Sequence, residues 1–142
     1  MLGTTPVVAA LAVALCCHSG LSLAQTSQAA RTQQYPYQLT AAELRSKVPD
    51  STSYGIGAYG PNTFVSYRSP DFRIHLRGPG FEDFGTYRIT DGGMLCTKYS
   101  KVRDGLEVCQ TIWQSGPDSI EARLPNGQIF KGVWVPGNPE HL

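Results

Sequence analysis

The sequence has little of the side-chain chemistry on which most enzymes and metal sites depend. It holds three histidines and four cysteines among 142 residues, and Cys16 and Cys17 fall in the N-terminal segment. The rest of the chain shows no Ser–His–Asp or Cys–His arrangement. A structural zinc site normally takes four ligands, and His75 is the only well-placed one here. The sequence therefore predicts no enzyme, no metal site and no cofactor.

An excess of charge of either sign is also missing. The chain carries 12 Lys and Arg residues against 11 Asp and Glu residues. Proteins that bind nucleic acid or anionic membranes usually rely on a basic field to attract phosphate groups. We therefore expect no nucleic-acid partner.

The first 25 residues contain no charged side chain. An apolar run from residue 7 to residue 17 is followed by Ser22 and Ala24, the small residues that signal peptidase needs at −3 and −1. The run is too short for a membrane anchor, so residues 1–24 are predicted to be a cleaved signal peptide, with no transmembrane segment in the mature protein. The mature protein is expected in the periplasm or outside the cell.

Cleavage after Ala24 leaves 142 − 24 = 118 residues, enough for one small domain. Residues 25–37 are rich in Gln, Ser and Thr and are interpreted as a flexible leader. Residues 38–139 are predicted to form the domain. It begins with a short helix, because Thr40 and Glu43 match a capping box, and the helix is expected to end near Val48.

The remainder alternates short apolar strands with Gly- and Pro-rich turns. Pro70-Asp71 as a two-residue loop would pair Val65 with Leu76 and Tyr67 with Ile74. Asn126-Gly127 as a type I′ turn would pair Leu124 with Ile129. These patterns predict an all-β fold, a small antiparallel barrel of about eight strands with one short N-terminal helix, since closure removes exposed strand edges.

The segment 85–113 is predicted to form three of these strands. Centring its second turn between Val102 and Arg103 places Cys96 opposite Cys109, and in the export compartment that pair should form a disulfide. The same register places Lys98 opposite Glu107. The inward face stays open between two sets: Tyr87, Ile89, Met94, Cys96 and Cys109, or Leu95, Thr97, Tyr99, Leu106 and Val108.

Basic side chains cluster on one hairpin. Arg68, Arg73, His75 and Arg77 are predicted to share its polar face, where guanidinium groups suit carboxylate or phosphate. They would then bind an anionic partner. In the alternative, they form a solvated face balanced by acidic neighbours.

Aromatic and acidic residues offer two further candidates. The aromatic side chains would either fill the barrel or line a cavity for one small ligand; they are Tyr54, Tyr59, Phe64, Tyr67, Tyr87 and Trp134. Glu82 and Asp83 are adjacent in a predicted loop over residues 78–84, where solvated charges are expected rather than a catalytic pair.

Short motifs in the domain resemble a known pattern. They are Gly85-Thr86-Tyr87, Asp91-Gly92-Gly93-Met94-Leu95-Cys96, Cys109 and Gly137-Asn138-Pro139. The pattern is similar to that of small exported bacterial proteins grouped as a domain of unknown function, and it extends from about Leu39 to Pro139. The chain departs from it at Tyr87, where the pattern has Trp. The resemblance implies a small, lipocalin-like barrel and supplies no catalytic residue.

Two functions remain as expectations. The first is an exported, non-enzymatic binding protein that holds an unidentified small ligand. The second is an envelope interaction protein, for example an inhibitor, that docks through the basic face of the hairpin.

Overall fold

A computed structural model describes residues 34–57 and 60–142 of the protein. The predicted signal peptide, residues 25–33 of the predicted leader and Tyr59 lie outside the described residues. Within the described part of the chain, no helix has the length and apolar character that a membrane span requires.

The described residues form one α-helix and nine strands. Their bounds are β1 (Tyr37–Gln38), α1 (Ala41–Lys47), β2 (Ser51–Gly57), β3 (Gly60–Arg68), β4 (Arg73–Gly78), β5 (Phe81–Ile89), β6 (Met94–Tyr99), β7 (Val108–Gln114), β8 (Ser119–Arg123) and β9 (Ile129–Pro136). Strands β2 to β9 each pair antiparallel with the next, and β9 pairs with β2. The predicted eight-stranded barrel is confirmed.

Strand β1 is an addition that the sequence did not predict. It pairs with β7 through Tyr37 and Gln114, beyond Thr111, which lies opposite the first residue of β6. The N–H of Leu39 then donates to the carbonyl of Ile112 at 2.8 Å. The segment just before the helix is therefore held against the barrel, and Tyr37, assigned to the leader, belongs to a strand.

Helix α1 closes one end of the barrel. Thr40 caps it as predicted: its hydroxyl accepts from the Glu43 N–H at 3.3 Å, and its own N–H donates to the Glu43 carboxylate at 2.8 Å. Leu44 and Val48 are fully buried in the main core. Arg45 also pairs with Asp91, in the β5–β6 turn, at 2.5 Å. We call this the helix end of the barrel and the opposite one the open end.

The predicted register of the β3–β4 hairpin is wrong by one residue. Val65 pairs with Arg77, and Arg68 pairs with Ile74. The loop has three residues, because Pro70 begins a tight turn that closes from the Phe72 N–H to the Ser69 carbonyl and Phe72 adopts a left-handed backbone, with φ 65°. A shift of one residue turns side chains to the other face, so Arg68 points into the barrel.

The β8–β9 hairpin departs from its prediction in the same way. Leu124 donates to the Gln128 carbonyl, and Arg123 rather than Leu124 pairs with Ile129. Pro125 again begins a three-residue loop, which ends on Gly127 with φ 85°. In both hairpins the fixed φ of proline suits the first corner of such a turn, so the two-residue loop that the sequence suggested does not form.

The register predicted for the β6–β7 hairpin is confirmed. Cys96 lies opposite Cys109, and the two form a disulfide with 3.9 Å between their Cα atoms. The predicted Lys98–Glu107 strand pair does not form, since β7 begins at Val108 and Glu107 binds Arg88 at 2.6 Å.

The inward face of this region combines the two sets that were left open. Tyr87 pairs with Thr97 and Ile89 pairs with Leu95, so these residues of β5 and β6 share the inner face. The disulfide lies on the outer face, since alternate residues of a strand point to opposite sides. Neither predicted set is therefore correct as a group.

Candidate functional site: a cavity in the barrel

The interior of the barrel contains a cavity of ≈ 270 Å³ that is open to solvent on one side. Its lining is mainly apolar, and the apolar side chains come from strands β3, β4, β7, β8 and β9: Phe64, Leu76, Ile112, Ile120, Ala122, Phe130 and Trp134. Of the predicted aromatic set, Tyr54, Phe64 and Trp134 are among the lining residues, Tyr87 is buried in the core, and the Tyr67 hydroxyl donates to Asp50 at 3.0 Å. The barrel interior therefore holds both a packed core and a space.

Small residues leave that space open. Gly55 on β2 lies between Phe64 and Gly132 in the sheet, and all three line the cavity. A Cβ at Gly55 would find its nearest atom in Phe64 at 3.8 Å, an ordinary contact distance. A larger side chain at Gly55 would project into the cavity, so this glycine helps to set its volume. A Cβ at Gly132 would instead meet the backbone oxygen of Tyr54 at 2.7 Å, too close for a side chain without a shift of the strands.

Arg68 is the most unusual group in the lining. It is the last residue of β3 and only 6% exposed. Its Nη1 donates to the Ser53 hydroxyl at 3.0 Å, and its guanidinium lies 5.8 Å from the ring centre of Trp134. Its Nε is buried without a hydrogen-bond partner.

No carboxylate in the described part of the chain forms an ion pair with Arg68. The ion pairs among the described residues all involve other cations, and the titratable side chains that act on Arg68 are those of Tyr99 and Tyr87. Burial lowers the pKa of Arg68 from its ordinary value, because a desolvated cation without a counter-ion is disfavoured. Buried cations in proteins are normally paired, so this group has an unmet electrostatic requirement.

The other basic side chains in the lining are exposed. Arg103, in the turn after β6, and Lys131, on β9, lie at the open end of the barrel. The lining contains no Asp or Glu among the described residues. Lys131 lies 3.9 Å from the carboxylate of Glu121, so Arg103 is the cation at the open end without a carboxylate partner among the described ion pairs. The cavity therefore has apolar walls, a buried cation at the helix end and an exposed one at the open end.

The remaining residues of the predicted basic cluster lie outside the barrel. Arg73 is 3.2 Å from Asp71, and Arg77 is 2.6 Å from Glu140. His75 lies 3.6 Å from Glu82 and stacks on the Phe84 ring at 4.1 Å between ring centres.

The four basic residues therefore do not share a face, and the prediction that they do is wrong for Arg68. On the outer surface the arrangement matches the alternative, in which acidic neighbours balance the basic side chains. Because each outer basic side chain has an acidic neighbour, the net positive charge of this surface is much smaller than the number of its basic residues suggests.

Asp83 was expected to be a solvated loop charge, and that expectation is wrong. Strand β5 already begins at Phe81, and Asp83 is 1% exposed. Its carboxylate accepts hydrogen bonds from the Ser100 hydroxyl and from four backbone N–H groups, those of Phe84, Ser100, Lys101 and Val102. Burial alone would raise its pKa, but these donors outweigh it and hold the pKa below the ordinary value.

Asp83 thereby fixes the loop after β6. That loop supplies Val102 and Arg103 to the cavity lining. Arg103 and Asp104 both have left-handed backbone conformations, with φ 57° and 55°, which ordinary residues rarely adopt without support. The open end of the cavity is therefore shaped by a buried carboxylate.

A cluster of Cys96, Glu107 and Cys109 has its ligand-type atoms within 4.8 Å of one another. Metal binding by cysteine requires a free thiolate, and both sulfur atoms are committed to the disulfide. The carboxylate of Glu107 is bound by Arg88 through Nε at 2.8 Å and Nη2 at 2.6 Å. This cluster is a disulfide beside a surface ion pair.

Comparison with family models, with curated proteins and with solved structures finds no match to this chain. The resemblance of the short motifs to exported bacterial proteins thus stays a prediction. The functional interpretation rests on the geometry and charge of the cavity.

Proposed function

We propose that the protein is an exported, non-enzymatic, lipocalin-like carrier that binds one small and mainly apolar ligand inside the barrel. The main observation in support of this proposal is the cavity of ≈ 270 Å³ with apolar walls. Ligand pockets typically have volumes of about 300–1,000 Å³, apolar linings and a few polar groups that orient the ligand. This cavity lies just below that range, which favours a compact ligand or a short chain.

Export supports the same proposal. The Cys96–Cys109 disulfide is typical of an oxidising compartment such as the periplasm or the extracellular space. Uncharged N-terminal residues that resemble a signal peptide agree with that location. The motif resemblance favours membership of the family of small exported bacterial proteins of unknown function.

Docking through the basic face is the weaker alternative. Each of the three outer basic side chains, Arg73, His75 and Arg77, already has an acidic neighbour within 3.6 Å. A partner would have to displace those carboxylates. The carrier function is preferred because its site has an unfilled volume and an unmet charge.

Native mass spectrometry of the mature protein purified from its own cells tests the carrier function. We expect a species heavier than the polypeptide, whose extra mass disappears on denaturation. Equal native and denatured masses, together with failure of small apolar probes to bind, would contradict the proposal.

A substitution at Gly55 makes the test specific for the cavity. Gly55→Leu should fill part of the space and reduce the bound fraction, since a Cβ there meets no atom nearer than 3.8 Å. Val133→Leu is the matched control, because Val133 pairs with Tyr54 on the outer face and is 40% exposed. Binding that survives Gly55→Leu unchanged would place the ligand outside the barrel.

A further inference from the structure

The buried guanidinium of Arg68 needs a partner that the described residues do not supply. A guanidinium has five N–H donors, and among the described residues Arg68 makes a single side-chain hydrogen bond, to Ser53. A structural arginine buried in this way would normally be met by a carboxylate. Here the space beside it is a cavity instead.

We infer that the ligand is a small amphipathic anion whose oxyanion head group binds Arg68 at the helix end of the cavity. The head group is a carboxylate or a phosphate. This inference rests on the proposed carrier function and names its ligand class. The planar donor fork of arginine matches the oxygen pairs of both head groups and forms strong charge-assisted hydrogen bonds with them.

The position of Arg68 sets the orientation of the ligand. Arg68 ends β3, and its sheet neighbours Ser51 and Ile74 also lie where strands begin or end at the helix end. Arg103 and Lys131 lie at the open end. The head group therefore enters first, and the apolar body extends from Arg68 towards the open end along Leu76 and Ile112.

Trp134 provides a second, independent unmet donor. Its Nε1 is buried without a hydrogen-bond partner, and its side chain lines the cavity. Buried donors are nearly always satisfied in folded proteins. Two buried side chains of one cavity lining each keep an N–H group without an acceptor, which favours an occupant with acceptor atoms.

The cations at the open end have a different role. Arg103 and Lys131 are exposed, so salt screens their attraction for an anion, whereas a buried pair is screened much less. They should speed the approach of an anion without holding it. Binding strength should then depend on Arg68 and only weakly on ionic strength.

Three probes with one chain length test the inference at neutral pH: octanoate, octyl phosphate and 1-octanol. Binding is followed by tryptophan fluorescence in a Trp113→Phe background, which leaves Trp134 in the cavity as the only tryptophan, since the chain has two. Trp113 lies elsewhere, packed on Arg123 at 4.0 Å. At least one anion should bind about tenfold or more tightly than the alcohol, as expected for a hydrogen bond to a charged group. The comparison of the two anions identifies the head group.

Arg68→Met should remove that preference and leave 1-octanol binding nearly unchanged. Arg73→Met is the matched control, because it removes one positive charge from the same hairpin at an outer site whose side chain is 80% exposed. Arg68→Lys keeps the charge without the fork and should retain part of the preference. Near-native circular dichroism of each variant confirms that it folds.

The outcomes separate the two levels of the proposal. Equal affinity of the wild-type protein for the alcohol and both anions overturns the anion inference and leaves the carrier function standing. A preference that persists in Arg68→Met but is lost in Arg103→Met with Lys131→Met places the head group at the open end and overturns the assignment to Arg68. If none of the three probes binds the wild-type protein, and no native mass is found, both proposals fail.

Discussion

Two buried charged side chains, Asp83 and Arg68, lie in contrasting surroundings within one barrel. Asp83 is 1% exposed and accepts five hydrogen bonds, one from a hydroxyl and four from backbone N–H groups. Arg68 is 6% exposed, donates one side-chain hydrogen bond to Ser53 and leaves Nε without a partner. The fold therefore supplies hydrogen-bond donors for Asp83, but it supplies no counter-ion for Arg68 among the described residues.

The difference separates a structural charge from a binding charge. Burial of an ion is costly unless hydrogen bonds or a counter-ion compensate it. Asp83 meets that condition and in return holds the loop that shapes the open end. Arg68 does not meet it within the described chain, and a site that destabilises the free protein is expected where binding supplies the missing interaction.

The largest effect should come from Asp83→Asn. Asparagine has one acceptor oxygen where the carboxylate had two, and its NH₂ group would face N–H donors. We expect the free energy of unfolding to fall by about 3 kcal/mol, since hydrogen bonds to a charged group contribute about 1.5–3 kcal/mol each and several are affected. Urea unfolding measures the loss. Glu82→Gln is the control on the same strand, with a side chain 51% exposed, and should change stability little.

Acid should remove the same contribution from the wild-type protein. The folded-state pKa of Asp83 is lowered relative to its value in the unfolded chain, which is about 3.9. Its contribution is therefore fully present above about pH 5 and is lost as the pH falls below about 4 towards the folded-state pKa. The difference in unfolding free energy between wild type and Asp83→Asn should shrink between pH 5 and pH 2.5. A constant difference would show that Asp83 does not titrate in this way.

Arg68→Met should act in the opposite direction. Replacing a buried, unpaired cation by an apolar side chain of similar length removes a desolvation cost, and comparable replacements of buried ions are neutral or stabilising. We expect the free energy of unfolding, without ligand, to stay equal or rise by about 1 kcal/mol. A loss comparable to that of Asp83→Asn would mean that Arg68 holds the fold together, and the contrast between the two charges would disappear.

The sequence predicts most of the fold because local signals agree with the global one. The capping box at Thr40, the pairing of Cys96 with Cys109 and the eight antiparallel strands are confirmed in the structure. These features depend on neighbouring residues or on one strand pair. The barrel follows from them once the strand edges must be closed.

A cavity was one of the predicted alternatives, but the inward position of Arg68 was missed for a reason that lies in the hairpin turns. The sequences Ser69-Pro70-Asp71-Phe72 and Leu124-Pro125-Asn126-Gly127 each place proline at the first corner of a three-residue loop. Pairing apolar residues across two-residue loops gave a plausible sheet in which Arg68, Arg73 and Arg77 all lay on the outer face. The proline position was the available signal, since the fixed φ of proline suits that corner.

Asp83 was missed for a different reason. Its carboxylate is satisfied by donors 17–19 residues away, in the loop after β6. No local pattern reports such a contact. Its burial depends on tertiary structure, which brings the loop over the end of β5.

The smallest effect is expected for a third kind of charged side chain, one that forms an ion pair at the surface. Glu140 accepts from Arg77 at 2.6 Å and from the Tyr54 hydroxyl at 2.9 Å, and its side chain is 34% exposed. Glu140→Gln should lower the free energy of unfolding by less than about 1 kcal/mol, because exposed ion pairs contribute little. Added salt should reduce the difference from wild type further, as measured by urea unfolding at low and high ionic strength.

Since Arg77 lies outside the barrel, the affinity of the Glu140→Gln variant for octanoate should not change. A change in that affinity would show that the outer ion pair is coupled to the cavity. It would then weaken the distinction between Arg77, which the protein pairs with a carboxylate, and Arg68, which we assign to ligand binding.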